Sequence, residues 1–575
     1  MKCSVILTPI PCAVLFCLAN AFKPAVIDDT AYLWFANQIA LTPSEPYGPP
    51  PDGFRLIWYD RGQSAYTLLA PQVVPYWIGL GIALFDDNLV FVKLWLLPFC
   101  LLFTSGLYSI VRRFAPGLEK TLMALTVVSP TFLPSLNVMI DVPAIALNLT
   151  TIAVFCRALD GPKPCWRLVV MAGLTAGLAA QTKYTGATSL AVILLYGLTR
   201  RQRLAPLLAI AIAVSLFIGW EAYLSHAYGR SHFLLHLEKQ RSSNLPNGPE
   251  AAKTIEFAAM LEKKADMTIP LFGFLGGLGL PMIPLFLLGM RFRSRNVRIV
   301  AATLYAAFLL LMLLPGRWSE FYRDERHPHV EVTFGTLLMG LAGLWFGLTL
   351  AGCTLVLALK GNLRIRRSGP CWFLIGWLLI ELLAFYALSP FAATRRVMGI
   401  MVATTVLLGR LLATIRDPNT IRLVHRLCAC GVGIGLIYAW TDYRDAVAER
   451  DALKACVNHI RAESPANARV WFTGHWGFQY YGEREGLRAI YPCESMIEAG
   501  DWIIIPDTPP RPYAQPLRLE MPFAQKQYVV EIFDAWPLST NPIYYDGYMP
   551  IRRHDGGRLR IAVFRANQRF LAWPN

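Results

Sequence analysis

Apolar runs long enough to cross a bilayer recur along most of this 575-residue chain, and no other feature restricts its fold so strongly. A spanning helix needs about 17 to 25 mainly apolar residues. The composition agrees: 55% of residues are hydrophobic and 16% charged, whereas soluble domains carry about 25% charge. The chain therefore reads as a polytopic α-helical membrane protein. Thirteen runs can be counted, at about Ser4–Phe22, Leu89–Val111, Leu122–Leu136, Val142–Ala158, Leu168–Gln181, Gly186–Leu198, Leu204–Leu224, Met267–Met290, Ile299–Leu314, Val332–Leu359, Phe373–Leu388, Met398–Leu412 and Leu427–Trp440. Several are shorter than a full crossing.

The loops between the runs give a sidedness. "RRFAPGLEK", "GPKPCWR", "RRQR", "RFRSRNVR", "KGNLRIRR" and "RDPNTIRLVHR" follow the even-numbered runs, so every even exit is basic. Lys and Arg concentrate in cytoplasmic loops, which puts all six inside and the N-terminus with them. An odd count then puts the C-terminus outside. The apolar stretch Val73–Leu84 would invert all later loops if it crossed, so it reads as a juxtamembrane segment. The N-terminal "MKCSVILTPIPCAVLFCLANAF" reads as an uncleaved first span, although "ANA" offers a cleavage signal. The net charge of +16 lies largely in these inter-span clusters, and no nucleic-acid module accompanies it.

Two outer regions are large. Residues 23–88 form a first exoplasmic loop rich in Pro and aromatics. After the membrane part, 1–440, residues 441–575 alternate a helical pattern, "RDAVAERDALKACVNHIRAE", with strand-like runs "ARVWFTG", "DWIIIP" and "LRIAVFR". That region reads as a small exoplasmic α/β domain. Its Cys456 and Cys493 either pair, if the compartment is oxidising, or remain thiols. No Cys/His cluster has zinc spacing.

Ionisable groups from distant parts of the chain collect on the outer side. Asp28 and Asp29 follow the first span in "VIDDTAYLWF". Asp141 stands where the third span gives way to the fourth, Lys183 at the turn from the fifth to the sixth, and Arg395 and Arg396 before the twelfth. Such groups at membrane depth are costly and count as functional candidates. Each also has an ordinary explanation: aspartates cap helices, and arginines anchor in headgroups. Tyr32, Trp34, Trp58, Tyr59 and Trp77 fit an interfacial aromatic belt or a sugar platform.

Together these features resemble the GT-C glycosyltransferases, in particular the branch of protein O-mannosyltransferases and lipid A aminoarabinose transferases. The resemblance rests on one span, then a long outer loop opening with an acidic pair and Tyr32 four residues after Asp28. It extends to "MIDVPAIALNLTTIAVFCRAL" and the Gly-rich "GLTAGLAAQTKYTG", and covers roughly residues 1–440. The branch typically has Asp-Glu at the acidic pair, where this chain has Asp28-Asp29.

The resemblance implies a GT-C fold, a polyprenyl-phosphate sugar donor and an inverting transfer to an acceptor it does not identify, at the outer face of a cell membrane such as the bacterial inner membrane. It implies Asp28 as general base, Asp141 and Asp29 in support, Tyr32 beside the substrate, and Lys183, Arg395 and Arg396 on the donor phosphate. No cofactor is required by it, though some relatives use a divalent metal. The outer loop "WSEFYRDERHPHVE", with His327 and His329, has no ligand spacing and reads as solvated. The rival class, a transporter or flippase, would predict inverted repeats and midplane charges. The sequence shows no internal repeat, and its charges lie at one face.

Overall fold

In the computed structural model the described residues are 8–58, 61–68, 71–242, 267–279, 369–389, 393–413, 417–465, 468–491, 493–506 and, with breaks, 523–572, plus scattered positions between 282 and 352. The runs near 299–314 and 332–359, and the loop holding His327 and His329, lie outside them or nearly so. Among the described residues five helices are long and apolar enough to cross a membrane: Leu89–Phe114, Asp141–Ala158, Leu204–Tyr228, Gly369–Leu388 and Pro418–Glu463. The chain is thus a helical integral membrane protein, and thirteen spans is a count that reaches into undescribed segments.

The N-terminal half builds the bundle. Its elements are α1 (Pro9–Ala21), α2 (Asp29–Leu41), the hairpin β1 (Arg55–Trp58) and β2 (Arg61–Ser64), α3 (Val73–Phe85), α4 (Leu89–Leu94) and α5 (Leu97–Phe114). They continue as α6 (Glu119–Val127), α7 (Asp141–Ala158), α8 (Trp166–Thr182), α9 (Thr188–Thr199) and α10 (Leu204–Tyr228). The central helix is α7, packed between α5 and α8. Its Ala144, Ala146 and Ala153 are buried, and Gly106 of α5 lies against the Leu149 backbone. Small residues let the backbones approach where lipid supplies no hydrophobic drive between helices.

One expected span differs. Leu122–Leu136 is not a continuous helix: α6 ends at Val127, and a buried irregular segment follows to Ile140. Pro130 and Pro134 each remove a backbone donor and crowd the preceding turn. Such a segment survives at membrane depth only inside protein. Here Asn20 Nδ2 donates to the Leu133 carbonyl at 2.7 Å and Lys23 Nζ to that of Pro134 at 2.9 Å.

The C-terminal half adds α11 (His232–Ser242), α12 (Thr268–Gly279), α13 (Gly369–Leu388), α14 (Thr394–Leu412) and α15 (Pro418–Glu463). Asp417 caps α15 through the Asn419 and Thr420 amides, with Pro418 at the first helical position. The 46 residues of α15 run unbroken from the bundle into the C-terminal region, across the expected 440/441 boundary. There β3 (Val470–Phe472), α16 (Trp476–Arg484), β4 (Arg488–Ala489), β5 (Met496–Ile497), β6 (Trp502–Pro506), β7 (Ala524–Phe533), β8 (Leu538–Thr540), β9 (Ile551–Arg553), β10 (Gly557–Ala566) and β11 (Phe570–Leu571) follow. The main sheet has the order β4-β3-β6-β10-β7, with β3 parallel to both neighbours and the β6–β10 and β10–β7 pairs antiparallel. Leu453, Cys456, Val457 and Ile460 of α15 bury against Phe472, Ile504, Ile561 and Val563. Cys456 is buried and Cys493 exposed, both as free thiols.

Candidate active site

The segment that opens α2 is held from three sides. Asp28 stands at the N-cap position but makes no capping bond. Its Oδ2 instead accepts from Arg395 Nη1 at 2.8 Å. Asp29 Oδ2 accepts from the Val26 amide at 3.1 Å and lies 3.6 Å from Lys93 Nζ. Lys93 in turn donates to the carbonyls of Lys23 at 2.7 Å and Pro24 at 3.0 Å, and Lys23 pairs with Asp442 of α15. Asp28 is 1% exposed and Asp29 0%, so neither is a solvated loop carboxylate.

A second pair lies nearby. Asp141 opens α7 and Lys183 closes α8, and Lys183 Nζ donates to Asp141 Oδ1 at 2.6 Å. Arg395 and Arg396 occupy the first turn of α14. Cations there oppose the helix dipole, so the position is unfavourable for them unless carboxylates or another anion compensate. Asp28, Asp29 and Asp141 therefore face Lys93, Lys183, Arg395 and Arg396 within one end of the bundle. The basic residues of the inter-span loops, such as Arg113 with Asp160, lie at the other ends of their helices.

Part of this cluster borders a small cavity of about 60 Å³. Asp141, Lys183, Arg395 and Arg396 line it, together with Asn148 of α7 and Glu381 of α13. Gly399 of α14 makes room for Glu381: a Cβ there would sit 2.1 Å from Glu381 Oε2. Tyr32 is buried one turn beyond Asp28 and does not line this cavity.

Burial shapes the electrostatics. It pushes the Asp28 carboxyl up to about 6, against the downward pull of Arg395, while Asp141 and Asp29 add to the rise. Asp29 is raised too, chiefly by burial, with Lys93 opposing. One oxygen each of Asp28 and Asp141, Oδ1 and Oδ2 respectively, is buried without a hydrogen-bond donor. Such an oxygen costs stability and is a ready proton acceptor.

The three aspartates do not fit a divalent metal site. Each is already matched by a cation, and no three metal-ligating side chains gather among the described residues.

All of Asp28, Asp29, Asp141, Lys183, Arg395 and Arg396 come together at one end. Lys93 and Glu381 were missed by the sequence reading. Both carry the signal used for the others, an ionisable residue inside an apolar run ("NLVFVKLW" and "GWLLIELLAF").

Residues 70–222 match the family model described as dolichyl-phosphate-mannose-protein mannosyltransferase. That stretch holds Lys93, Asp141 and Lys183, and the likeness to GT-C membrane glycosyltransferases drawn from the sequence is shared by it. Among solved structures, the chain is similar to the oligosaccharyltransferase AglB of Archaeoglobus fulgidus, in complex with an inhibitory peptide and a dolichol-phosphate, at 12% identity and a TM-score of 0.47, covering 84% of this chain and 64% of that one. The same archaeal enzyme with Zn and sulfate gives 14% identity, a TM-score of 0.45 and coverages of 84% and 62%. ArnT from Cupriavidus metallidurans, bound to undecaprenyl phosphate, gives 12% identity, a TM-score of 0.40 and coverages of 88% and 94%. The chain thus spans less than two thirds of the archaeal oligosaccharyltransferase. No curated protein sequence matches it.

Proposed function

We propose that the protein is an inverting glycosyltransferase that moves a sugar from a polyprenyl-phosphate donor to an acceptor hydroxyl at the outer face of a bacterial inner membrane. The observation that carries this reading is the buried Asp28 carboxylate, with one oxygen on Arg395 and the other without a donor, beside a cation-lined cavity. The family match over residues 70–222 supports the donor class.

In this reading the donor phosphate sits at headgroup level against Lys183, Arg395 and Arg396, and its tail stays in the bilayer. The acceptor oxygen attacks the anomeric carbon. The bond from that carbon to the phosphate oxygen breaks, and polyprenyl phosphate leaves with the electron pair. The acceptor proton passes to Asp28. One displacement without a covalent enzyme intermediate inverts the anomeric centre.

The ion pairs have a role in this scheme. An incoming phosphate competes with Asp28 for Arg395. Drawing Arg395 away removes the pull that lowers the Asp28 pKa, so the carboxylate becomes a stronger base as the donor seats. Asp141 orients Lys183, and Asp29 with Lys93 fixes the start of α2.

The test is transfer itself. Membranes carrying the protein are incubated with radiolabelled polyprenyl-phosphate sugars, and label is sought in lipid, glycan and protein fractions. Transfer that Asp28→Asn abolishes supports the reading; labelled donor translocated across the bilayer without transfer removes it.

A further inference from the structure

A second recess lies on the outer side of α2, and it shares no residue with the cation-lined cavity. Trp34, Asn37, Gln38 and Leu41 stand at the spacing of one helical face. Phe54, Arg55 and Leu56 of the hairpin form the second wall, and Glu483 and Tyr491 of the outer domain the third. Together they enclose a groove of about 310 Å³.

Its chemistry is specific. Trp34, Phe54 and Tyr491 contribute aromatic rings. The polar groups among them are planar amides, a carboxylate and a guanidinium, and most are held in place. Trp34 Nε1 donates to Glu483 Oε2 at 2.9 Å, and Gln479 Nε2 donates to the other oxygen at 3.0 Å. Arg55 pairs with Glu494 and lies 5.8 Å from the centre of the Tyr491 ring. Gln38 Nε2 reaches the Glu45 carbonyl at 3.4 Å.

Rings beside planar polar groups suit a ligand with apolar C–H faces and a fringe of hydroxyls. A sugar ring is such a ligand: one face lies on an aromatic ring, and neighbouring hydroxyls meet amide, carboxylate and guanidinium groups that donate and accept in pairs. An acyl chain would cover the polar groups of Asn37, Gln38, Arg55 and Glu483 and strip them of their remaining water. A phosphorylated ligand would meet the carboxylates of Glu483 and Glu494.

The position also matters. Trp34 follows Asp28 by six residues, about 9 Å along the helix axis and about a third of a turn round it, so a ligand longer than one sugar ring is needed to span the two. We propose that this groove holds a glycan, the unreacting part of the acceptor, and so brings one of its hydroxyls to Asp28. The inference rests on the transferase reading for the last step, but binding in the groove is measurable without it.

The experiment uses the full chain in nanodiscs and neutral trisaccharides of mannose, of glucose and of N-acetylglucosamine. Binding is followed by saturation-transfer NMR and tryptophan fluorescence. At least one trisaccharide is expected to bind saturably. Tyr491→Ala and Trp34→Ala should each weaken it by about tenfold, the worth of a stacked ring with its buried area. Asn37→Trp, which fills the groove, should abolish it. Trp34→Phe keeps a ring but loses the Glu483 bond, and should retain most binding; a merely structural Trp34 would not show that rescue. The groove variants should still bind undecaprenyl phosphate. Failure of all three trisaccharides, or binding indifferent to Tyr491→Ala and Asn37→Trp, overturns the proposal, as does displacement of the sugar by a short peptide or by anionic vesicles. Trisaccharide binding without any sugar transfer would instead remove the transferase reading and leave the groove in place.

Discussion

Arg395 Nη1 lies 2.8 Å from Asp28 Oδ2, a contact that joins α14 to the start of α2 across 367 residues of sequence. Removing one member of a buried pair leaves the other charge uncompensated, which costs about 3–5 kcal/mol. The two single substitutions Asp28→Asn and Arg395→Ala are therefore not equivalent. Asn keeps the shape and a hydrogen-bond acceptor, whereas Ala strands a carboxylate. Asp28→Asn should purify in near-normal yield and lose about two to four orders of magnitude in turnover, the usual worth of a general base. Near-parental turnover would move the base to Asp141.

The raised Asp28 carboxyl has a pH signature. A base works deprotonated, so kcat/KM should climb with pH and level off above an acid limb at about 6, the value of Asp28 while Arg395 is still paired with it. Arg395 holds that value down, so Arg395→Gln should shift the limb upward. Initial rates from pH 4.5 to 8.5 decide it; a limb at the ordinary aspartate value, or one that falls in the arginine variant, contradicts the assignment.

Lys183→Met should weaken donor affinity more than acceptor affinity, because the phosphate loses a cation while Asp28 is untouched. It also leaves Asp141 buried alone. A double substitution, Lys183→Met with Asp141→Asn, should be more stable than Lys183→Met by itself, since no lone charge remains. Thermal unfolding of the four proteins measures that coupling. Strict additivity would mean the 2.6 Å contact carries no energy.

The C-terminal region touches the segment that opens α2 through a close approach. A Cβ on Gly477 would lie 2.4 Å from the Ala25 carbonyl, and Tyr481 Oη accepts from the Ala25 amide at 2.8 Å. Gly477→Val should therefore push α16 off the Ala25–Asp29 segment and lower turnover by about tenfold or more, as small misplacements do. Tyr481→Phe, which removes only the hydroxyl, should do less. If both variants match the parent, the contact is incidental.

Sidedness is tested by reporters placed after Arg203 and after Tyr443. The basic loops place them on opposite sides of the membrane; a shared side would overturn the thirteen-span map.

The charged positions were legible because water-filled explanations fail for them in apolar surroundings. Asp28, Asp141, Lys183 and Arg395 stood out by cost, and order along the chain put them at one end. Their pairing was not legible. Nothing in spacing says that Asp28 meets Arg395 rather than Lys183, because that depends on how α14 packs beside α2. Lys93 and Glu381 are single ionisable residues inside apolar runs, and spacing does not show that one reaches Asp29 and the other the cavity beside Arg395. The break after Val127 was signalled by Pro130 and Pro134, but hydropathy averages across such prolines. The strands "ARVWFTG", "DWIIIP" and "LRIAVFR" were readable individually. That β3 runs parallel to β6, while β10 is antiparallel to it, comes from long connections that local pattern does not encode.

The unbroken α15 gives the molecule a mast. Its 46 residues make about 70 Å of rigid rise, planted in the bundle and carrying the C-terminal sheet. On a mast, height and bearing are both set by residue count. Each inserted residue lifts the load by about 1.5 Å and swings it through about 100°. Evolution can therefore lengthen this stretch only in near-whole turns if α16 is to keep facing Ala25. A one-residue insertion between Arg444 and Asp445 is a steering error, and a seven-residue one keeps the heading but lifts the load away from its mooring.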